Sequence, residues 1–253
     1  MKNKLILIIL SFAITYSQAD NDYLWPTNTS NSITTLFGEK RSRRFHAGID
    51  VRTFGKIGDK VFAIESGYIS RIRINSDGYG KALYLKLNDG NTAVYAHLDH
   101  FTPELDNLVN ALHQHYGKYT IDHKIEPNEH PVKKGDIIGY SGDTGGVSGP
   151  HLHFEIRDTK TQKIINPMLF GLPILDRTHP IINSILVYHN NGRKEVIKAK
   201  QINEKKYELI NNLNIEGPFN IAVNTYDLLD SAPNKNGVYS IELYVNDTLF
   251  FLN

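Results

Sequence analysis

Apolar and polar residues alternate with a period of two through much of this chain, the signature of strands that bury one face. In the stretch 151–158, Leu152, Phe154 and Ile156 share one parity, and His151, His153, Glu155 and Arg157 share the other. Two imidazoles therefore project from one face, about 7 Å apart along a half-buried strand. Upstream, Ile69, Arg71 and Arg73 alternate with Ser70, Ile72 and Ile74, and a turn follows at 75–78. Leu83, Leu85 and Leu87 alternate with Tyr84 and Lys86, and Asn88-Asp89-Gly90-Asn91 closes a hairpin onto a strand over 92–98. On that strand Val94, Ala96 and Leu98 form one face, while Ala93, Tyr95 and His97 form the other. A glycine-rich loop, 141–150, delivers the chain into the His151 strand.

The β pattern is interrupted once. Leu105, Leu108, Val109 and Leu112 stand at helical spacing, which predicts a short helix over 103–116 within an insertion, residues 101–131. Beyond a proline-marked linker at 173–181, strands are predicted at 183–189, 194–200, 206–210, 218–226, 237–245 and 248–252. Short strands separated by Asn/Gly turns predict a small β-sandwich over 182–253. The fold class is mainly β: a core over 20–172 carrying a helical insertion, then the sandwich. A sandwich usually has about seven strands. The count here is about six and the chain ends inside the apolar run 249–252, so a truncated or interrupted version of a longer protein is expected.

Composition adds a compartment. A length of 253 residues with 40% hydrophobic content suits one or two globular domains, and a net charge of +1 leaves no electrostatic footprint for nucleic acid. Lys2 and Lys4, the apolar run 5–14 and the small residues near 17–19 have the layout of a secretory signal peptide over 1–19. The run falls short of the roughly 20 apolar residues that a membrane-spanning helix needs. No stable membrane insertion is expected after cleavage, and the periplasm or cell envelope is the expected destination. The absence of cysteine excludes a disulfide framework and a lipidated cysteine.

Candidate chemistry gathers in three places. His46 and Asp50, four residues apart, share a face whether the stretch is helical or extended, and Gly48, Val51 and Thr53 favour the extended form. His97 and the pair His151 and His153 complete the set. A catalytic zinc takes about three protein ligands and keeps a position for water, and imidazole with carboxylate suits Zn²⁺. That leaves two histidines for proton transfer and oxyanion stabilisation. The arginines Arg41, Arg43 and Arg44 read as solvated charge. His113, His115, His123 and His130 have no spacing that requires a second metal, and their segment reads as a polar surface insertion of the kind that often edges a groove.

His46-Ala47-Gly48-Ile49-Asp50, Tyr95-Ala96-His97-Leu98 and Gly149-Pro150-His151-Leu152-His153-Phe154-Glu155 resemble, in order, the three signature motifs of the LytM/lysostaphin-type zinc endopeptidases. The resemblance covers roughly residues 38–168. It implies an antiparallel β-sheet or half-barrel peptidase core with a groove, with His46, Asp50 and His153 as zinc ligands and His97 and His151 as catalytic histidines. It also implies peptidoglycan as the partner, cut at peptide bonds in cross-links or stems. Glu155 is then a structural carboxylate, and Tyr95 a substrate contact or hydrophobic filler. The insertion is longer than in compact members, and the C-terminal segment lies outside the family's core, where an envelope protein partner is the analogy. Two rival functions retain the fold: a non-catalytic regulator of other wall hydrolases, and a metallopeptidase acting on protein. An adhesion or carbohydrate-binding β protein would leave the five polar residues unexplained.

Overall fold

The computed structural model describes residues 5–6, 23–29, 31–41, 44–127, 129–174, 176–211, 217–230 and 233–252. The leader expected over 1–19, apart from Leu5 and Ile6, and Arg43 of the basic cluster lie outside the described residues. Among those residues no helix is long and apolar enough to cross a membrane. The elements in chain order begin with β1 (Leu5–Ile6), β2 (Ile33–Thr35), β3 (Ile49–Arg52), β4 (Lys60–Phe62), β5 (Gly67–Ile74), β6 (Lys81–Leu87) and β7 (Asn91–Phe101). They continue with α1 (Pro103–Tyr116), β8 (Ile121–Lys124), β9 (Pro131–Val132), β10 (Ile137–Ser141), β11 (His151–Asp158) and β12 (Ile164–Ile165). The last six are β13 (Ile181–His189), β14 (Lys194–Asn203), β15 (Lys206–Leu209), β16 (Phe219–Tyr226), β17 (Glu242–Val245) and β18 (Thr248–Leu252). The chain divides into two compact units, Tyr16–Leu175 and Asp176–Asn253 with Met1–Thr15.

In the first unit an antiparallel sheet runs β2-β3-β11-β7-β6-β5-β8, with β10 bonded to both β4 and β7. Its core is built from the alternating apolar positions, among them the fully buried Ile49, Leu83, Leu85, Phe101 and Phe154. Strand β5 departs from simple alternation. One extra residue lies between Ile69 and Arg71, a bulge that shifts the register, so Ile69, Ile72 and Ile74 are all buried although their parities differ. The helix spans the stretch its spacing predicts and buries Leu105, Val109 and Leu112. The rest of the insertion extends the sheet: β8 and β9 both pair with β5. Strand β11 is buried on both faces rather than one, because β3 and β7 flank it and its polar face is itself covered.

The second unit contains an antiparallel sheet in the order β15-β14-β13-β16, whose buried Ile185, Val187 and Ile197 pack with Leu209, Ile221 and Val223. A separate hairpin, β17-β18, carries β1 on its edge. The strand expected over 237–245 begins only at Glu242, since Asn236 is committed to a two-bond bridge with Asp227.

Candidate metal centre and active site

Strand pairing sets the geometry of the site. In the β3–β11 ladder Asp50 lies opposite His153, and Arg52 lies opposite His151. Directly opposed residues project from the same face, so the two histidines and Asp50 point one way. His46 precedes β3 and reaches that face from a loop, where it exchanges backbone bonds with Gly38 and Glu39. Between them Gly48 packs so closely on β11 that a Cβ would sit 2.0 Å from the Phe154 carbonyl oxygen. Only glycine permits that approach.

His46 Nε2 lies 3.0 Å from Asp50 Oδ1 and 3.0 Å from His153 Nδ1, and the last two atoms are 2.9 Å apart. The outward nitrogen of each ring decides where the proton sits. His46 Nδ1 donates to the Leu36 carbonyl at 2.7 Å, and His153 Nε2 donates to Glu155 Oε1 at 2.8 Å. Carbonyl and carboxylate oxygens only accept, so in the neutral rings both inward nitrogens carry lone pairs. With both imidazoles neutral, two nitrogens and a carboxylate oxygen converge with no hydrogen between them, the donor set of a cation. A tetrahedral site with bonds of about 2.0–2.1 Å spaces its donors about 3.3 Å apart, close to the spacing here. No other group of three such ligand residues lies together among the described residues.

Electrostatics agree with that fit. Burial alone would raise Asp50, but the imidazoles of His153 and His46 outweigh it and hold the carboxyl well below its usual range. Burial also opposes charge on His153, yet the Asp50 and Glu155 carboxylates raise it above the ordinary imidazole value. Positive charge is favoured at the point where these groups meet.

His97 arrives on the same face by a different route. Tyr95 lies opposite Phe154, so strict alternation would turn His97 toward the apolar core, away from His153. Strand β7 carries one extra residue where Lys81 pairs with Leu98 but Leu83 pairs with Tyr95, and His97 has a φ of +62°. The bulge reverses its direction. Its ring centroid is 4.8 Å from that of His151 and 5.8 Å from that of His153. Tyr95 stays behind, fully buried, its hydroxyl accepting from the Ile64 N–H at 3.1 Å. Tyr95 is core filler and, with no exposed surface, not the substrate contact that the resemblance allowed.

The glycine-rich loop then sets both flanking rings. His97 Nδ1 donates to the Thr144 carbonyl and His151 Nδ1 to the Gly149 carbonyl, each at 2.9 Å. Each Nε2 is left as a proton acceptor. Burial, then the neighbouring His151, pushes His97 down to about 4, so it is neutral at neutral pH. His151 Nε2 stands 3.6 Å from Asp50 Oδ1, and its side chain is 19% exposed against 6% for Asp50, so the site opens beside His151. A cleft lined by Arg52, Phe54, Ser148 and Pro150 runs from there.

Three further residues support these groups. Arg41, read as solvated, donates to Asp50 Oδ2 at 2.7 Å and holds the oxygen that faces away from the cluster. Glu155, fully buried, receives His153 on one oxygen and Arg157 on the other. Tyr79 stacks on His153 and donates to Glu155. Of these, Glu155 shared the histidines' parity, Arg41 was visible only as charge, and Tyr79 had no sequence signal. The insertion's histidines are scattered, His113 contacting the Tyr119 carbonyl and His130 pairing with Glu104.

Comparison with known proteins places this geometry. Residues 107–167 match the family model Peptidase family M23, a span that contains His151 and His153 but begins after His46, Asp50 and His97. The DD-carboxypeptidase/endopeptidase Mpg of Neisseria meningitidis is 30% identical over 135 residues, 53% of this chain and 25% of Mpg. Lysostaphin of Staphylococcus staphylolyticus is 34% identical over 111 residues, 44% of this chain and 18% of that protein. The chain thus spans a quarter or less of the length of these relatives. Among solved structures, a zinc-containing peptidase from Vibrio cholerae aligns with a TM-score of 0.44 at 25% identity, covering 60% of this chain and 40% of that one. With its mainly antiparallel β core and its His-Asp-His group, this chain carries a Peptidase family M23 domain homologous to the LytM/lysostaphin-type and Mpg enzymes.

Proposed function

We propose that this chain is an exported zinc-dependent endopeptidase that hydrolyses peptide bonds in peptidoglycan cross-links or stems. One observation carries the reading: His46, Asp50 and His153 bring three ligand atoms to one point, and His97 and His151 stand beside it with Nδ1 engaged by backbone carbonyls and Nε2 turned free of them. The wall substrate is supported by the relatives, two of which are named lysostaphin and glycyl-glycine endopeptidase. Export to the periplasm or envelope is supported by the leader-like start.

His46, Asp50 and His153 would hold the zinc, which when bound would supply Lewis acidity and a more acidic water near neutral pH. The chain's own groups do the rest. The attacking water loses its proton to Nε2 of His97 or His151, whose other nitrogen is already committed to a carbonyl. The imidazolium so formed lies beside the developing oxyanion, stabilises it, and returns the proton to the leaving amine. Arg41 and Glu155 keep Asp50 and His153 in position throughout.

The test is incubation of the purified, zinc-loaded chain with purified sacculi, with mass spectrometry of the released fragments. Soluble fragments bearing new amino termini support the proposal. Zinc binding without any new terminus would transfer the chain to the class of wall-hydrolase regulators. Cleavage confined to glycine-rich or denatured protein would replace the wall with protein as substrate.

A further inference from the structure

Resting on that reading, we propose that Arg52, with Phe54 beside it, forms a subsite that grips a carboxylate of the peptide next to the scissile bond. The placement follows from the ladder that builds the metal centre. Asp50 lies opposite His153, and the next rung on the same face pairs Arg52 with His151. Arg52 therefore projects from the reactive face, its Cα about 7 Å from that of Asp50 along the strand. Arg52 stands level with His151 on the neighbouring strand, one same-face rung from the Asp50–His153 pair and at the end where the centre opens.

The cleft there is built rather than incidental. Arg52, Thr53 and Phe54 form one wall, and Ser148, Gly149 and Pro150 form the other. The Thr53 hydroxyl donates to the Pro150 carbonyl at 3.0 Å and ties the two walls together. Phe54 has a φ of +53°, a left-handed conformation that strains any side chain bearing a Cβ, and the residue is 63% exposed. Strain at an exposed aromatic ring adds nothing to the core. It does present a flat apolar face into the cleft, with the Arg52 guanidinium carbon 5.9 Å from the ring centroid.

Arginine is charged at every working pH and matches a carboxylate with two parallel hydrogen bonds. An extended peptide advances about 3.3 Å per residue. A carboxylate within two residues of the scissile bond therefore reaches Arg52. It can be carried by a side chain of the adjoining residue or by the chain terminus.

Three synthetic stem peptides distinguish the sources: one with both carboxylates free, one amidated at the side chain only, and one amidated at the terminus only. With the zinc-loaded chain, amidating the recognised carboxylate should raise KM roughly tenfold or more with kcat little changed. In Arg52→Gln the peptides should become equivalent, while Arg52→Lys should keep part of the preference. Calorimetric titration of the same peptides into the metal-free chain should show the same ranking without turnover. Equal KM for all three peptides in the wild type overturns the subsite and leaves the endopeptidase proposal intact, as does a preference that survives in Arg52→Gln. Failure of the zinc-loaded wild type to cut any stem peptide overturns both.

Discussion

Replacing Glu155 with Gln tests whether the proton positions deduced for the metal centre are real. The carboxylate is fully buried and accepts on both oxygens: Oε1 from His153 Nε2 at 2.8 Å and from Tyr79, and Oε2 from Arg157 Nε at 2.7 Å. Glutamine offers one oxygen and one NH₂ group, so it can satisfy only one of these two sides. If its oxygen faces His153, the ring keeps its tautomer but the amide hydrogens oppose the Arg157 guanidinium. A buried pair broken in this way costs about 3 kcal/mol or more. If its oxygen faces Arg157, the amide donates to His153 Nε2, the ring proton moves to Nδ1, and the inward lone pair is lost. Loss of such an outer partner weakens metal binding about 10- to 100-fold. The two costs are alternatives, so they must be measured together: zinc affinity by competition with a chelator, and metal-free stability by urea unfolding. A variant unchanged in both would refute the hydrogen-bond assignment and with it the tautomer on which the donor set depends.

Other consequences follow from the same geometry. Gly48→Ala puts a methyl group 2.0 Å from the Phe154 carbonyl oxygen and should cost about 3 kcal/mol or more in urea unfolding, with zinc stoichiometry falling in parallel; an unchanged midpoint would mean the two backbones are not in close contact. Asp50→Ala should abolish zinc retention by metal analysis, whereas His151→Ala should retain zinc and lose turnover; equal zinc loss would move His151 into the ligand set. His97 is neutral in the fold, with its value near 4 against 6.5 for an ordinary imidazole. Its contribution to stability is therefore complete above pH about 6.5 and is lost as pH falls toward 4, by up to about 3 kcal/mol. In the metal-free chain His97→Gln should flatten that acid limb, and an acid limb that does not change would contradict the buried neutral ring.

Much of the site was legible because its residues obey the strand period. The even spacing of His151 and His153 placed both rings on one face, and the ladder with β3 added Asp50 to it. The short helix was legible for a similar reason, since Leu105, Val109 and Leu112 show the period of a helix and are the residues it buries. Arg41 was not legible as a partner of Asp50. Its role depends on a loop that brings it back against β3, and charge in an irregular segment looks the same whether it is solvated or paired. Tyr79 is likewise a loop residue whose ring reaches His153 from a turn, without any periodic signal.

His97 shows where parity fails and why. Counting by twos from Tyr95 gives His97 the same direction as Tyr95, and this rule assigned both residues to one face. The structure sends them to opposite sides, Tyr95 into the core and His97 to the metal centre, through a single extra residue in β7. The bulge in β5 works on the same principle and brings Ile69 to the side of Ile72 and Ile74. A bulge exchanges faces for everything beyond it, so one inserted residue has as much effect as a slip in register. In β5 the change serves packing. In β7 it lets one strand supply the bulkiest fully buried side chain among the described residues and, two residues later, a histidine of the candidate site.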